Sequence, residues 1–174
     1  MKIKSLIERA KRGDKEAFAQ LMDEYRGALY HTALLIVKNE EDALDAIGDT
    51  VLACWENLPR LKQDRYFKTW MTRILFNKCY DILRVHAHFS EAEDLSEIEA
   101  ETGPDLDRAM DVRQALAQLQ ENDRLILSLF YYDDFSIRQI SSLLSLSENA
   151  VKTRLNRSRN RFRSLYTQEK GAIS

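Results

Sequence analysis

Asn149, Lys152, Thr153, Arg154, Asn156, Arg157 and Arg159 crowd one short stretch of the chain. Each is a residue type that hydrogen-bonds base edges or phosphate oxygens. Arg161 and Arg163 extend the run, and Glu148 is its one acid. A merely solvated helix mixes charge signs along its surface, so this one is expected to face a polyanion. Holding these groups requires a second, apolar face. Val151, Leu155, Phe162 and Leu165 recur at helical spacing to supply it, with Ser158 at a tight position. Upstream, Ser136 with Gln139 reads as a capping box, followed by Ile140, Leu143 and Leu144 as the apolar side of a short helix. Ser145-Leu146-Ser147 makes the turn, with Ser147 as the next N-cap. This is the pattern of a helix-turn-helix whose second helix enters a DNA major groove.

A second region separates charge by sign. Glu40, Glu41, Asp42, Asp45, Asp49 and Glu56 occur without one intervening Lys or Arg. Glu41, Asp45 and Asp49 are four apart and stack on one helical face, where like charges repel and a basic partner would offset them. From Arg60 to Arg84 the sign reverses: Arg60, Lys62, Arg65, Lys68, Arg73, Lys78 and Arg84 oppose only Asp64 and Asp81. Tyr66, Phe67, Trp70, Phe76 and Tyr80 interleave with these cations. Rings beside cations suit single-stranded nucleic acid, whose bases stack while the cations follow phosphates. Phe67 and Trp70 also fit the helix's buried side, so Trp70 is assigned mainly to packing, while Tyr66 and Tyr80 stay open.

Low Gly and Pro content and repeated i, i+3, i+4 apolar spacing predict an all-α protein. Leu6, Ile7 and Ala10 mark a first helix stopped near Gly13, and Asp14 caps a second. A third runs from about Glu41 to Asn57, with Leu44, Ile47, Val51, Leu52 and Trp55 expected inward and Pro59 ending it. A fourth begins near Tyr66. Residues 1–87 thus form one small helical domain. Residues 88–107 carry eight acids and no Lys or Arg, with Gly103-Pro104 discouraging helix, so an acidic flexible linker is expected. Residues 108–174 form a second helical domain, with helices around Ala109–Leu119 and Asp123–Tyr132 ahead of the helix-turn-helix. No apolar run is long enough to cross a bilayer, which argues against direct membrane insertion. Cys54 and Cys79 lie far apart among apolar helix positions, the pattern of buried free thiols in a reducing cytoplasm.

The segment Asp42-Ala-Leu-Asp45-Ala-Ile-Gly-Asp49-Thr-Val-Leu-Ala-Cys-Trp55, followed by Phe67-Lys-Thr-Trp70-Met-Thr-Arg-Ile74-Leu-Phe-Asn77 and Asp81-Ile-Leu-Arg84, resembles the second conserved region of bacterial sigma factors. It is most similar to the extracytoplasmic-function group. Ser147-Glu-Asn-Ala-Val151-Lys-Thr-Arg154-Leu-Asn-Arg157-Ser-Arg159 resembles the fourth region, which reads the −35 promoter element. The resemblance implies that Asp42, Asp45 and Asp49 dock on the clamp helices of the largest subunit of core RNA polymerase, with the polymerase flap as a further contact. It implies that Lys62, Arg65 and Tyr66 of the loop, with Arg73, Asn77 and Arg84, capture a −10 element whose non-template base is flipped out. Asn149, Lys152, Thr153, Arg154, Asn156, Arg157 and Arg159 would contact the −35 element. An anti-sigma factor is implied as a partner, and no cofactor. Gly48 stands where the family usually has Gln, and Leu44 where Glu is common. Asn156 also departs from the usual side chain, so the −35 preference does not transfer.

Other functions predict other signatures. His86 and His88 at i and i+2 point apart on a helix, without a Cys or His cluster to complete a zinc site. No Ser–His–Asp arrangement, Gly-rich phosphate loop or HExxH motif is present, which argues against an enzyme. The serious rival is a stand-alone helix-turn-helix regulator with residues 1–86 as a sensing or dimerising domain, binding paired half-sites without polymerase. A pure protein-interaction module is the third possibility; its activity would ignore DNA sequence and salt.

Overall fold

The computed structural model describes residues 2–89 and 115–172, with side chains described at 2–88 and 115–167. Two compact units divide the chain, Met1–Ser96 and Glu97–Ser174. The division falls within the acidic stretch. Residues 90–107, and the first part of the helix expected around Ala109–Leu119, lie outside the described residues. Among the described residues every regular element is helical.

Unit 1 begins with α1 (Lys2–Lys11), which buries Leu6, Ile7 and Ala10. Gly13 then takes a left-handed φ of +89°, where a side chain would be strained. Asp14 starts α2 (Lys15–Val37) by accepting the Ala17 N–H at 2.9 Å, and Arg9 donates to the same carboxylate at 2.8 Å. The Ala17 N–H first, and Arg9 after it, hold the Asp14 carboxyl below the usual carboxylate range. Lys38, at a left-handed φ of 58°, ends α2, and Asn39 accepts the Asp42 N–H to open α3 (Glu40–Asn57).

The inward face of α3 differs from the one its sequence predicts. Leu44 and Leu52 are 54% and 63% exposed, whereas Ala43, Ala46, Thr50 and Cys54 are buried. Ile47, Val51 and Trp55 flank that seam, half-buried against the core. Because α3 packs against both α2 and α4, its central stripe must be narrow, and small side chains let the backbones approach. Thr50 meets the cost of burying its hydroxyl by donating to the Ala46 carbonyl at 2.7 Å.

Two short 3₁₀ turns, Leu58–Arg60 and Asp64–Tyr66, carry the chain from α3 into α4 (Phe67–Phe89). Phe67, Met71, Leu75 and Cys79 are the buried positions of α4 that complete the core. Edge contacts between Phe18 and Trp55 and tilted ones between Tyr25 and Phe67 lock α2 to its neighbours. The helix runs on through His88 and Phe89, the first two positions of the expected linker. No helix breaker intervenes before Gly103.

Unit 2 contains α5 (Glu121–Leu127), which widens into a π turn at Ser128–Tyr132, then α6 (Ile137–Leu144) and α7 (Glu148–Ala172). The capping box is present: Gln139 N–H donates to Ser136 Oγ, and the Ser136 N–H donates to Gln139 Oε1 at 2.9 Å. Ser145 adopts a left-handed φ of 54° in the turn, and Ser147 Oγ accepts the Ala150 N–H at 3.1 Å. Leu119, Ile126, Leu127 and Leu155 form the core, with Leu144, Phe162 and Leu165 packed on it.

Cys54 and Cys79 are free and buried, and burial pushes both thiols up to about 12. A raised thiol pKa keeps the reactive thiolate scarce. At pH 8 the native chain should leave an aromatic disulfide reagent unconsumed, while the urea-unfolded chain reacts at both cysteines; absorbance of the released thiol reports the difference. Gly48 sits on the outer face of α3, where an added Cβ meets nothing within 4 Å. Gly48→Ala should therefore stabilise unit 1 by about 1 kcal/mol in urea titration.

Candidate functional site

The outer face of α3 follows from its inner one. With Ala43, Ala46, Thr50 and Cys54 turned inward, Glu41, Leu44, Asp45, Gly48, Asp49, Leu52 and Glu56 face solvent. Asp42 is separated from them. Its side chain is 18% exposed, beside His86 Nδ1 at 3.6 Å, whereas Asp49 is 62% exposed. Lys78 reaches Asp49 at 3.8 Å, a surface pair of the kind that contributes little and competes weakly with a partner. Asp45 and Asp49 therefore stay together while Asp42 belongs to the α3–α4 contact. The face combines carboxylates, two leucines and a bare stretch of backbone at Gly48, chemistry suited to a partner presenting basic and apolar side chains.

Where α3 ends, a cleft of about 480 Å³ opens between Ala53 and Asn57 of α3, Arg60, Leu61 and Lys62 of the loop, and Trp70 and Ile74 of α4. Trp70 both packs on Phe67, with ring centroids 5.9 Å apart, and lines this cleft. At the loop's outer edge Arg65 donates to Gln63 Oε1 at 2.9 Å and its guanidinium lies 4.7 Å over the Tyr66 ring. On α4, Arg73, Asn77 and Arg84 are exposed at helical spacing, and Arg84 is paired with Asp81. Tyr80 is exposed between Asn77 and Arg84. Asn57 and Arg60 also line the cleft, although the sequence marked Asn57 only as a helix end and Arg60 only as part of a basic run; Pro59, read as a helix stop, lies in the turn that carries Arg60.

Along α7, Asn149, Lys152, Thr153, Asn156 and Arg159 are exposed at three- and four-residue intervals, opposite buried Val151, Leu155 and Ser158. Arg159 is linked to Asn156 Oδ1 and, through a second nitrogen, to the hydroxyl of Tyr131, an exposed residue of the π turn. Arg154 is half-buried. Arg157 stands on the flank, donating at 3.2 Å to Asp123, whose carboxylate is almost fully enclosed. The structure thus brings five of the seven expected base- and phosphate-binding residues onto one face. It gives Arg157 an intramolecular partner as well.

Two family models match the chain in order: Sigma-70 region 2 over residues 21–89, and Sigma-70 region 4 over residues 109–162. The chain is similar to the ECF RNA polymerase sigma factor SigM of Mycobacterium tuberculosis, 30% identical over 151 residues, 86% of this chain and 76% of that one. The chain belongs to the extracytoplasmic-function sigma factors. It is also similar to the ECF RNA polymerase sigma factor SigW of Bacillus subtilis, 27% identical over 179 residues, covering 94% of this chain and 96% of the other. The solved structure of CnrH in complex with the cytosolic domain of CnrY superposes with a TM-score of 0.68 at 25% identity, over 97% of this chain and 99% of that one. As a sigma factor the protein binds core RNA polymerase and directs promoter recognition and transcription initiation. Two sigma regions in one chain decide against the stand-alone regulator. Region 2 starts within α2, so α1 lies outside it, while region 4 takes in α6 and α7 as far as residue 162.

In this sigma factor Arg157 has a structural task that the outward cations of α7 lack. Arg157→Ala would leave the Asp123 carboxylate enclosed without its cation, at about 1–3 kcal/mol. Lys152→Ala should change stability by less than about 0.5 kcal/mol. Urea unfolding of the two variants, followed by circular dichroism, measures the contrast.

Proposed function

We propose that the sigma factor divides its work among three surfaces: Asp45 and Asp49 of α3 hold polymerase, the 61–66 loop with α4 takes the −10 element, and α7 reads the −35 element. The observation that carries this reading is the exposed carboxylate–leucine face of α3, created by the small-residue seam behind it. Leu44 and Leu52 supply apolar area, and Asp45 and Asp49 select basic groups; the clamp helices of the polymerase's largest subunit are the proposed occupant. Asp42, turned toward His86, contributes through the α3–α4 contact.

The cleft beside Trp70 is the proposed receptacle for the flipped base. Extruding a base costs a few kcal/mol of stacking, which ring and cation contacts in the pocket offset. Trp70 offers a face to stack on, while Arg60 and Lys62 border the path of the phosphates. Arg65 over Tyr66 keeps a cation and a ring together at the rim. Arg73, Asn77 and Arg84 extend the surface along α4. In unit 2, Asn149, Lys152, Thr153, Asn156 and Arg159 are proposed to enter the major groove, with Arg154 and Arg157 supporting from the flank.

No residue of this arrangement is assigned a chemical step, so the protein is read as a binding and positioning factor that acts in the cytoplasm, where polymerase is found. No described helix is long and apolar enough to cross a membrane. CnrH was solved with the cytosolic domain of CnrY bound. On that likeness a regulatory partner of the anti-sigma kind is proposed here too.

The docking surface is tested by reversing its charge. Asp45→Arg with Asp49→Arg should abolish retention on immobilised core polymerase while helicity by circular dichroism is unchanged. Retention equal to wild type would overturn the assignment.

A further inference from the structure

We infer that Lys11, at the end of α1, is a positioning residue for −10 recognition: it sets the shape of the 61–66 loop and neutralises the acid within it. Lys11 Nζ donates to the Leu61 carbonyl at 2.6 Å and to Asp64 Oδ1 at 2.5 Å. Each side chain of the Lys11–Asp64 pair is only 23% exposed, unlike the open pairs Lys2–Glu24 and Arg84–Asp81. The loop's backbone bonds are local: Leu61 N–H closes the first turn on the Leu58 carbonyl, and Tyr66 N–H closes the second on the Gln63 carbonyl. Neither ties one turn to the other. Lys11 does, gripping the carbonyl that follows the first turn and the first side chain of the second.

The cation is held on a fixed base. Leu6, Ile7 and Ala10 bury α1, and the Gly13–Asp14 corner with Arg9 joins it to α2. Leu61 also lines the cleft, so the bond to its carbonyl acts on the pocket wall itself. A loop organised before binding loses less conformational freedom when a base enters, which strengthens discrimination between bases. Asp64 is the loop's single acid, and left uncompensated it would repel incoming phosphates. The inference rests on the loop's proposed role in −10 capture. It reaches a residue outside the matched region 2, which starts at residue 21.

The test uses holoenzyme reconstituted from core polymerase and the full chain, on a promoter from which it initiates, with single-base substitutions across the −10 element. Lys11→Met keeps the aliphatic stem and removes the donor. It should lower the ratio of run-off transcript from the parent over the substituted promoters by about tenfold, the scale of one lost base-specific contact. Core affinity and the penalty for −35 substitutions should stay at wild-type values, as a generally destabilised unit would not allow. Lys11→Arg should restore the ratio, and Asp64→Asn placed in the Lys11→Met chain should recover part of it. Should Lys11→Met fail to fold, Lys11→Gln, which stays polar but carries no charge to pair with Asp64, is judged by the same ratio. An unchanged ratio in Lys11→Met, with a lowered one in Tyr66→Ala at the pocket rim, overturns the role of Lys11 and leaves the loop's role standing. An unchanged ratio in both overturns the two together.

Discussion

Ala43, Ala46, Thr50 and Cys54 let α2 and α4 close on α3 from both sides, and that close approach orients much of unit 1. Once those four positions face inward, helical geometry leaves no choice about Leu44, Asp45, Gly48, Asp49 and Leu52. They must face out. Exposed leucines beside stacked carboxylates are unfavourable in an isolated unit: the former waste apolar burial and the latter repel. In the proposed docking, basic and apolar side chains of polymerase would cover this face and relieve both. Pro59 sets where α3 stops, and hence where the loop and the cleft beside Trp70 begin.

Local chemistry then fixes the ends of the helices. Asp14, Asn39, Ser136 and Ser147 each satisfy backbone donors that a helix start would otherwise strand. These caps determine the angle at which successive helices leave one another. In unit 2 the Ser136 box and the Ser147 cap together place α7 so that one side meets Leu127 and the core while the other presents Asn149 to Arg159. The π turn preceding them buries Leu129 and leaves Tyr131 exposed beside Arg159. A widened helical turn of this kind is a common device for aiming side chains at a working surface.

Cations in this chain serve two masters. Lys11, Arg84 and Arg157 each have an acidic partner inside their own unit, and Lys78 lies near Asp49. Only the enclosed pairs demand their partner, because removing a cation from a sheltered carboxylate is far costlier than from a solvated one. Counting Lys and Arg along the chain therefore overstates the charge available to phosphates. In the proposed roles, the weak surface pairs open toward DNA, whereas Arg157 and Lys11 act through the shape they hold.

What could be read from residue order is what depends on near neighbours. The caps at Asp14, Ser136 and Ser147, the Gly13 corner, the helix-turn-helix and the division of α7 into an apolar and a polar face all depend on groups a few positions apart, with periodicity strong enough to settle the face. The acidic and basic blocks were legible for the same reason. The inward side of α3 was not, because ranking by apolar size favours Leu44 and Leu52, whereas packing between two helices selects for small side chains. The separation of Asp42 from Asp45 and Asp49 was hidden too, since it depends on where His86 of α4 comes to rest. Lys11 stands fifty residues before Leu61 in the chain, and only the packing of α1 against the loop brings the ammonium to that carbonyl. Order along the chain determined which helices form and what charge each carries; tertiary packing alone decided which faces remain outside and which distant groups meet, because burial and close approach are properties of neighbours that folding supplies.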